Sequence, residues 1–251
     1  MAGVANAVFV LSRWPKSLCE FDDTVNMPLR AELSLQGIID PWDLGIIYDP
    51  TGSDILVTDK KKKCIWQVDK RESWLSRTDS PYTLSVSNER VILLRKLKSS
   101  SMLEIYDKQA RLTESIVLPE YIENPKHSVV TSSGNYVVSH RCKVSETDDS
   151  RTWSISEVSP DGFAVNRYKP IDWSQELNVP CHLAVTSDDE VIIADCENNR
   201  IVLLDSKLQW KRVLLTKEKH GVERPWRLFY DDEKKQLTVG QLRKKATVFF
   251  L

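Results

Sequence analysis

His127 and His182 are the two residues of this sequence whose type and position best suit metal chemistry. Each stands two residues after a proline, Pro125 or Pro180. The same position after a proline holds other residues in three further segments: Asp43, Thr83 and Arg227. Imidazole and carboxylate groups are common zinc ligands, and a bound zinc ion can activate water. Because Arg227 would repel a cation, we assign no metal and no other cofactor. We keep an enzyme that uses a metal in the central channel of the fold as the second alternative function.

These residues belong to a repeated segment, and each copy of the repeat begins at a proline. The segment from Pro41 aligns with the segment from Pro180, so that Asp59 of the first matches Asp195 of the second. Similar segments begin at three more prolines: Pro81, Pro125 and Pro225. A repeat of about 40–45 residues with four short strands is typical of a propeller blade.

Each copy is interpreted as a four-stranded sheet. In the copy at Pro180, LAVT is the first strand, VIIAD is a second strand buried on both faces, and IVLLD is a third strand of alternating character. We therefore predict an all-β fold, a six-bladed β-propeller of NHL type that forms a single domain over residues 1–251. The first blade is expected to lack its first strand, and the last blade its fourth. The predicted blades are 1–36, 37–78, 79–120, 121–172, 173–218 and 219–251. The residues two positions after the blade-start prolines are predicted to line the mouth of the central channel: Asp43, Thr83, His127, His182 and Arg227.

The stretch VIIADCENNRIVLLD at 191–205, after the PxxLAV pattern from Pro180, resembles the NHL family of six-bladed propellers. It looks like the C-terminal propellers of tripartite-motif (RING, B-box, coiled-coil) ubiquitin ligases. The resemblance implies that the propeller recognises protein or RNA partners. It also implies that a separate RING domain would carry any ligase activity, so this chain is not expected to be an enzyme. The repeat positions that the resemblance assigns to holding the blades together are Asp59, Asp195, Arg200 and Ile201.

The charges are unevenly distributed among the predicted turns, although 35 Lys and Arg nearly balance 36 Asp and Glu. In a propeller, the turns between second and third strands share one face with the crossings between blades. These turns are rich in Lys and Arg, whereas the turns of the opposite face are rich in Asp, which is equally consistent with simple turn formation. The residues predicted for a basic, partner-binding face are Arg13, Trp14, Lys16, Lys60, Lys61, Lys62, Lys63, Arg95, Lys96, Lys98, Arg141, Lys143, Arg200, Arg243, Lys244 and Lys245.

A basic face with aromatic residues suits either acidic peptides or unpaired bases. We expect a non-catalytic recognition module that binds a protein or peptide partner as the substrate-selecting domain of a tripartite-motif-like ubiquitin ligase. Single-stranded RNA binding on the same face is the alternative. Neither DNA nor a membrane is an expected partner. The five cysteines form no CxxC pair, which favours reduced thiols in a cytoplasmic protein.

Two longer segments, a turn at residues 141–152 and a crossing between blades at residues 166–178, are predicted to be loops that project from the basic face. Long loops on a rigid scaffold are where binding residues usually lie. Trp173, in the second segment, is expected either to anchor a partner or to pack its loop onto blade five.

Overall fold

The chain folds almost entirely as β-strands. The computed structural model describes residues 2–4, 7–13, 16–22, 29–49, 52–76, 83–87, 90–97, 100–144, 150–242 and 246–251. Among these residues, the helical elements are one α-helix, α1 (Lys217–His220), and one 3-10 turn, Trp173–Gln175. No helix in these ranges is long and apolar enough to cross a bilayer.

The first three blades are antiparallel sheets whose strands pair in chain order. Blade one contains β1 (Ala2–Val4), β2 (Ala7–Arg13), β3 (Lys16–Asp22) and β4 (Leu29–Leu33). Blade two contains β5 (Pro41–Asp49), β6 (Gly52–Asp59), β7 (Cys64–Gln67) and β8 (Glu72–Ser76). Blade three contains β9 (Thr83–Ser87), β10 (Arg90–Lys96), β11 (Ser101–Tyr106) and β12 (Leu112–Val117).

The last three blades follow the same order. Blade four contains β13 (Glu123–Val130), β14 (Tyr136–Lys143), β15 (Arg151–Val158) and β16 (Ala164–Arg167). Blade five contains β17 (Pro180–Val185), β18 (Val191–Asp195), β19 (Arg200–Leu204) and β20 (Trp210–Thr216). Blade six contains β21 (Pro225–Asp231), β22 (Gln236–Gln241) and β23 (Thr247–Phe250).

The protein is an all-β, six-bladed propeller, so this part of the fold prediction is confirmed, whereas the NHL type stays a prediction. The prediction that blade one lacks its first strand is wrong. Strand β1 pairs with β2 from Ala2↔Phe9 to Val4↔Ala7, which gives this blade four strands. Blade six has three strands in the part of the chain that the structure describes, as expected.

The chain divides into two compact units, residues 1–95 with 103–115 and residues 96–102 with 116–251. In the first unit β5 contacts both β1 and β9, and in the second β17 contacts both β13 and β21. Within each unit, neighbouring blades therefore meet through their first strands. The expectation of a single domain stays a prediction.

The middle strands of blade five are buried on both faces. Every residue of β18 is buried, as predicted, but so are Ile201–Leu204 of β19, for which alternation was expected. Val202 packs in a core cluster with residues of blade four, whereas Ile201 packs in a cluster with residues of blade six. Because a blade on each side covers the sheet, both faces of the third strand must be apolar.

Much of the predicted loop at 141–152 is a β-hairpin. Strands β14 and β15 pair without interruption from Tyr136↔Val158 to Lys143↔Arg151. Arg141 therefore lies on hydrogen-bonded strand backbone, which fixes the position of its Cα atom. Residues 145–149 of the predicted loop lie outside the described residues.

Candidate partner-binding surfaces

A single buried carboxylate organises the four lysines between β6 and β7, residues 60–63, which we call the lysine turn. The fully buried Asp59 accepts hydrogen bonds from four backbone N–H groups, at 2.6 Å from Ile39, 3.2 Å from Asp40 and 3.0 Å from both Lys61 and Lys62. Burial opposes ionisation, but the four donors outweigh it and hold the pKa of Asp59 below its ordinary value. The backbone of the lysine turn is therefore held in place by hydrogen bonds to a buried side chain.

Two residues of the lysine turn lie against tryptophan rings. Nζ of Lys60 lies 3.0 Å from the ring centroid of Trp42, and Nζ of Lys62 lies 4.8 Å from that of Trp66. Such cation–π contacts favour particular positions of a flexible lysine side chain. Lys61, by contrast, extends into solvent.

We expect Asp59→Ala to lower the free energy of unfolding by roughly 1–3 kcal/mol, because four backbone N–H groups lose their acceptor. Asp69→Ala removes an exposed carboxylate of the same blade and should change stability by less than about 0.5 kcal/mol. Urea denaturation of both variants measures the difference. Equal stabilities would contradict the role of Asp59 in holding the turn.

The matching aspartate of blade five, Asp195, binds a different set of groups. Its fully buried side chain accepts hydrogen bonds from the backbone N–H of Asn178 at 2.7 Å, from the amide of Asn198 at 2.9 Å and from Nε of Arg200 at 2.7 Å. Burial nevertheless raises the pKa of Asp195 above its ordinary value. Arg200 was predicted for the basic face as well as for blade packing, and the structure places its charge against this buried carboxylate.

Arg200 also holds the crossing from blade four to blade five in place. Residues 169–176 of this crossing are called the Trp173 loop. Two guanidinium nitrogens donate to backbone carbonyls, at 2.6 Å to Ser174 and 2.7 Å to Glu176. Within the loop, the Asp172 carboxylate accepts a hydrogen bond from the N–H of Ser174 at 2.8 Å. These contacts hold the loop backbone in one conformation.

The Trp173 loop presents two large apolar side chains to solvent. Ile171 is 88% exposed and Trp173 is 83% exposed, so packing onto blade five is not the role of Trp173. Tyr168, directly before the loop, is buried, and its hydroxyl donates to the carbonyl oxygen of Gln175 at 2.7 Å. The exposed pair therefore stands on a backbone that buried side chains anchor.

Trp153 of β15 lies beside two cations. Its ring centroid is 5.5 Å from Nζ of Lys126 and 5.6 Å from Cζ of Arg141. Arg141 is the cross-strand partner of Trp153, and Lys143 is the partner of Arg151, so these four side chains share one face of the sheet. Arg141 and Lys143 were predicted for this face from the sequence, whereas Lys126 and Trp153 were not.

Asp43 and His127, predicted at the channel mouth, each join two neighbouring blades. Oδ2 of Asp43 accepts a hydrogen bond from the N–H of Leu84 at 3.0 Å, and Nδ1 of His127 accepts one from the N–H of Leu183 at 3.3 Å. The two contacts are equivalent in the repeat, because each links blade two to three or four to five at the same position. Thr83, beside Leu84, is buried.

His182 stacks on His127, with ring centroids 3.6 Å apart and planes inclined by 26°. Burial is the largest cause that lowers the pKa of His182 well below 6.5, and repulsion from His127 and Arg227 acts in the same direction, so the ring is neutral. Arg227 donates to the carbonyl oxygen of Trp226 at 3.1 Å. Across the described ranges, no three His, Cys, Asp or Glu side chains form a group that could hold a metal ion.

Some predicted cations are bound to buried acids. Arg95 forms an ion pair with Glu104, which also accepts a hydrogen bond from the hydroxyl of Tyr106 at 2.9 Å. Lys96, the next residue, is exposed at the end of β10. Arg95, like Arg200, therefore contributes to the interior of its blade.

The remaining predicted residues lie at a hairpin end or outside the described residues. Arg13 and Lys16 are paired at the end of the β2–β3 hairpin, and their side chains are not among those described. Five further predicted residues fall outside the described ranges: Trp14, Lys98, Arg243, Lys244 and Lys245.

Two aspartates of the opposite turns, Asp107 and Asp205, act as turn formers. Oδ1 of Asp107 accepts hydrogen bonds from the N–H groups two and four residues later, at 2.9 and 3.0 Å. Oδ1 of Asp205 does the same at 2.9 and 2.7 Å. Their recurrence follows from turn geometry, so it is not by itself evidence of an acidic binding face.

Comparisons with known proteins support the fold. No protein-family model and no curated protein matches the sequence. Among solved structures, hydrazine synthase of Kuenenia stuttgartiensis has a TM-score of 0.71 at 12% identity, with 98% of this chain and 92% of that chain covered. A protein of unknown function from Bacteroides caccae has a TM-score of 0.66 at 13% identity, with coverages of 91% and 81%. The WD40 propeller domain of Doa1 has a TM-score of 0.60 at 11% identity, with coverages of 98% and 91%. At identities this low, the structural similarity shows a shared propeller fold and nothing of function.

Proposed function

We propose that this propeller is a non-catalytic recognition module that binds an acidic segment of a protein partner. The observation that carries the proposal is the Trp173 loop, where Ile171 and Trp173 stand exposed on a backbone fixed by Arg200. Exposed aromatic side chains on rigid supports are typical binding hot spots, since little conformational entropy is lost when a partner covers them.

Cations on blade four supply the charge preference. Lys126 and Arg141 flank Trp153, and Lys143 is exposed further along the same strand as Arg141. Complementary charge raises the association rate and selects acidic over basic partners.

Single-stranded RNA is the second candidate ligand. The exposed ring of Trp173 offers a surface on which a base could stack, and the neighbouring cations could bind phosphates. Trp42 is less suited to stacking, because Lys60 already lies against its ring. Because Lys60 already covers the ring of Trp42, this ring is less accessible to a base, and we favour a peptide over RNA.

The repeat resemblance extends the proposal to a biological setting. We propose that the partner is a substrate and that the propeller selects it for a tripartite-motif-like ubiquitin ligase in the cytoplasm. The free state of all five cysteines supports a reducing compartment. Sequencing of the full-length transcript tests the ligase setting: an upstream RING and B-box would support it, and their absence would contradict it.

A peptide array and RNA oligonucleotides distinguish the two ligand classes. We expect the protein to select, from random peptides of about 15 residues, those with net negative charge and at least one large apolar residue. A fluorescent single-stranded RNA of about 12 nucleotides provides the other probe, and its affinity should fall steeply with salt if it binds specifically through phosphates. RNA binding without peptide selection would replace the proposal, and binding of neither probe would refute it.

Charge reversal on blade four tests the electrostatic part. Lys126→Glu with Lys143→Glu should weaken binding of a selected acidic peptide roughly tenfold at low salt. Lys207→Glu with Arg212→Glu makes the same charge change at and beside the turn between β19 and β20, where both side chains are exposed, and should leave the affinity unchanged. Equal losses in both variants, measured by fluorescence anisotropy, would indicate a general charge effect and contradict a defined face.

A further inference from the structure

Two cysteines of blade five lie side by side on adjacent backbone. Strand β17 pairs with β18 through Pro180↔Asp195 and His182↔Ala194, so Cys181 is the extra residue of a β-bulge. Cys196 directly follows β18, and its N–H donates to the carbonyl of Val179 at 3.2 Å. The two side chains are hydrogen-bonded to each other, and both are buried.

Arg224 connects this pair to the surface. Its guanidinium contacts the sulfur of Cys196 and forms an ion pair with Glu197, and 45% of its side chain is exposed. The hydrogen bond from Cys181 lowers the pKa of Cys196, and Arg224 lowers it further, while burial and Glu197 act in the opposite direction. The hydrogen bond that Cys181 donates, together with burial, raises the pKa of Cys181. Of the two thiols, Cys196 is therefore the one that loses its proton more readily, and Cys181 is the one that keeps it.

We propose that Cys181 and Cys196 form a redox modification site, at which a peroxide converts the two thiols into a reversible disulfide within blade five. The Cys196 thiolate attacks one oxygen of hydrogen peroxide, the O–O bond breaks, and hydroxide leaves and takes up a proton to become water. Cys196 is then a sulfenic acid. Cys181 loses its proton and attacks the sulfenic sulfur, the S–O bond breaks, and a second water forms. Two thiols are oxidised and one peroxide is reduced.

The other buried cysteines serve as internal controls. Cys142 also contacts an arginine, since Arg167 lies 2.8 Å from its sulfur, but burial raises its pKa and no thiol is among the groups that act on it. Burial, with Asp59 close by, likewise raises the pKa of Cys64. Cys142 thus shares burial and an arginine contact with Cys196 but has no neighbouring thiol. Comparing the two cysteines therefore isolates the effect of the neighbouring thiol on oxidation.

The proposed disulfide would fix the turn between β18 and β19. Within this turn, Asn198 donates to the carbonyl of Glu176 at 2.9 Å, and Asn199 accepts a hydrogen bond from the N–H of Arg224 at 2.9 Å. The turn thus supports the crossings on both sides of blade five. The proposal does not depend on what the propeller binds.

Peptide mapping after peroxide treatment tests the proposal. The folded protein is exposed to hydrogen peroxide, its remaining thiols are alkylated after denaturation, and it is cleaved before aspartate. This cleavage separates Cys181, in residues 172–187, from Cys196, in residues 195–204. We expect these two peptides to become linked and to separate again on reduction, while Cys142 and Cys64 are still alkylated.

Three variants distinguish the chemistry from incidental oxidation. Cys181→Ser should leave a sulfenic acid at Cys196 that dimedone traps, and Cys142→Ser should form the linked peptides as the wild type does. Arg224→Ala should slow the linkage roughly tenfold, because a positive charge beside the reacting thiolate is lost. The proposal is overturned if the two peptides stay unlinked in folded protein, or if Cys142 and Cys64 are oxidised as fast as the pair.

Discussion

Replacing Arg200 with alanine should lower the free energy of unfolding by about 3–5 kcal/mol, the cost typical of leaving one partner of a buried ion pair alone. Nε of Arg200 lies 2.7 Å from the Asp195 carboxylate, whose side chain is 0% exposed. Without this partner, Asp195 keeps two hydrogen-bond donors, Asn178 and Asn198. Burial already raises the pKa of Asp195, so the charge would be still harder to maintain.

Guanidinium denaturation of the Arg200→Ala protein measures this loss. Arg212→Ala, an exposed arginine of β20 in the same blade, should change stability by less than about 0.5 kcal/mol. Amide hydrogen exchange provides a second readout, because residues 172–178 should exchange faster once Ser174 and Glu176 lose their donor. A loss below about 1 kcal/mol with unchanged exchange would contradict the role assigned to Arg200.

Acid should destabilise the protein through His140. Burial is the largest cause that lowers the pKa of His140 from 6.5 to about 4; Arg167 acts in the same direction, while the Arg141 carbonyl and Glu123 act against it. The unfolded chain therefore takes up a proton at a higher pH than the folded protein does. The stabilisation is complete above about pH 6.5 and is lost as pH falls towards 4, by roughly 3 kcal/mol in total.

Urea denaturation at about pH 7.5 and about pH 5 tests this contribution. Over that interval, His140→Gln should lose roughly 2 kcal/mol less stability than the wild type, because the variant has no imidazole to protonate at this position. Identical pH dependence in the wild type and His140→Gln would contradict the prediction.

The sequence predicted the blades well, because their determinants are local and repeated. Proline starts, the apolar second strand and the aspartate that ends it recur in each clear copy, and Asp59 and Asp195 prove to be buried turn-holding residues. The first strand of blade one escaped notice because Ala2–Val4 is three residues long and has no distinctive pattern. The alternation expected for β19 was wrong because its two faces are covered by different blades.

The candidate site was harder to predict, because a sequence does not show which charges are paired. Arg95 and Arg200 look like surface cations in their turns, yet each forms an ion pair with a buried acid. Lys126 and Trp153 were missed because they meet only through the pairing of β14 with β15 and the approach of β13. Trp173 was noticed as an aromatic residue in a long crossing, but its exposure could not be inferred from residue type.

Affinity for an acidic peptide selected from the array, compared between the wild type and Trp173→Ala, tests the central claim most directly. Phe163→Ala is the control, since Phe163 is 73% exposed in the turn between β15 and β16, at the opposite end of the blade-four sheet. We predict that Trp173→Ala weakens binding about 30-fold, as loss of a hot spot worth about 2 kcal/mol would, and that Phe163→Ala binds like the wild type. Unchanged affinity in Trp173→Ala, or equal losses in both variants, would contradict recognition through the Trp173 loop.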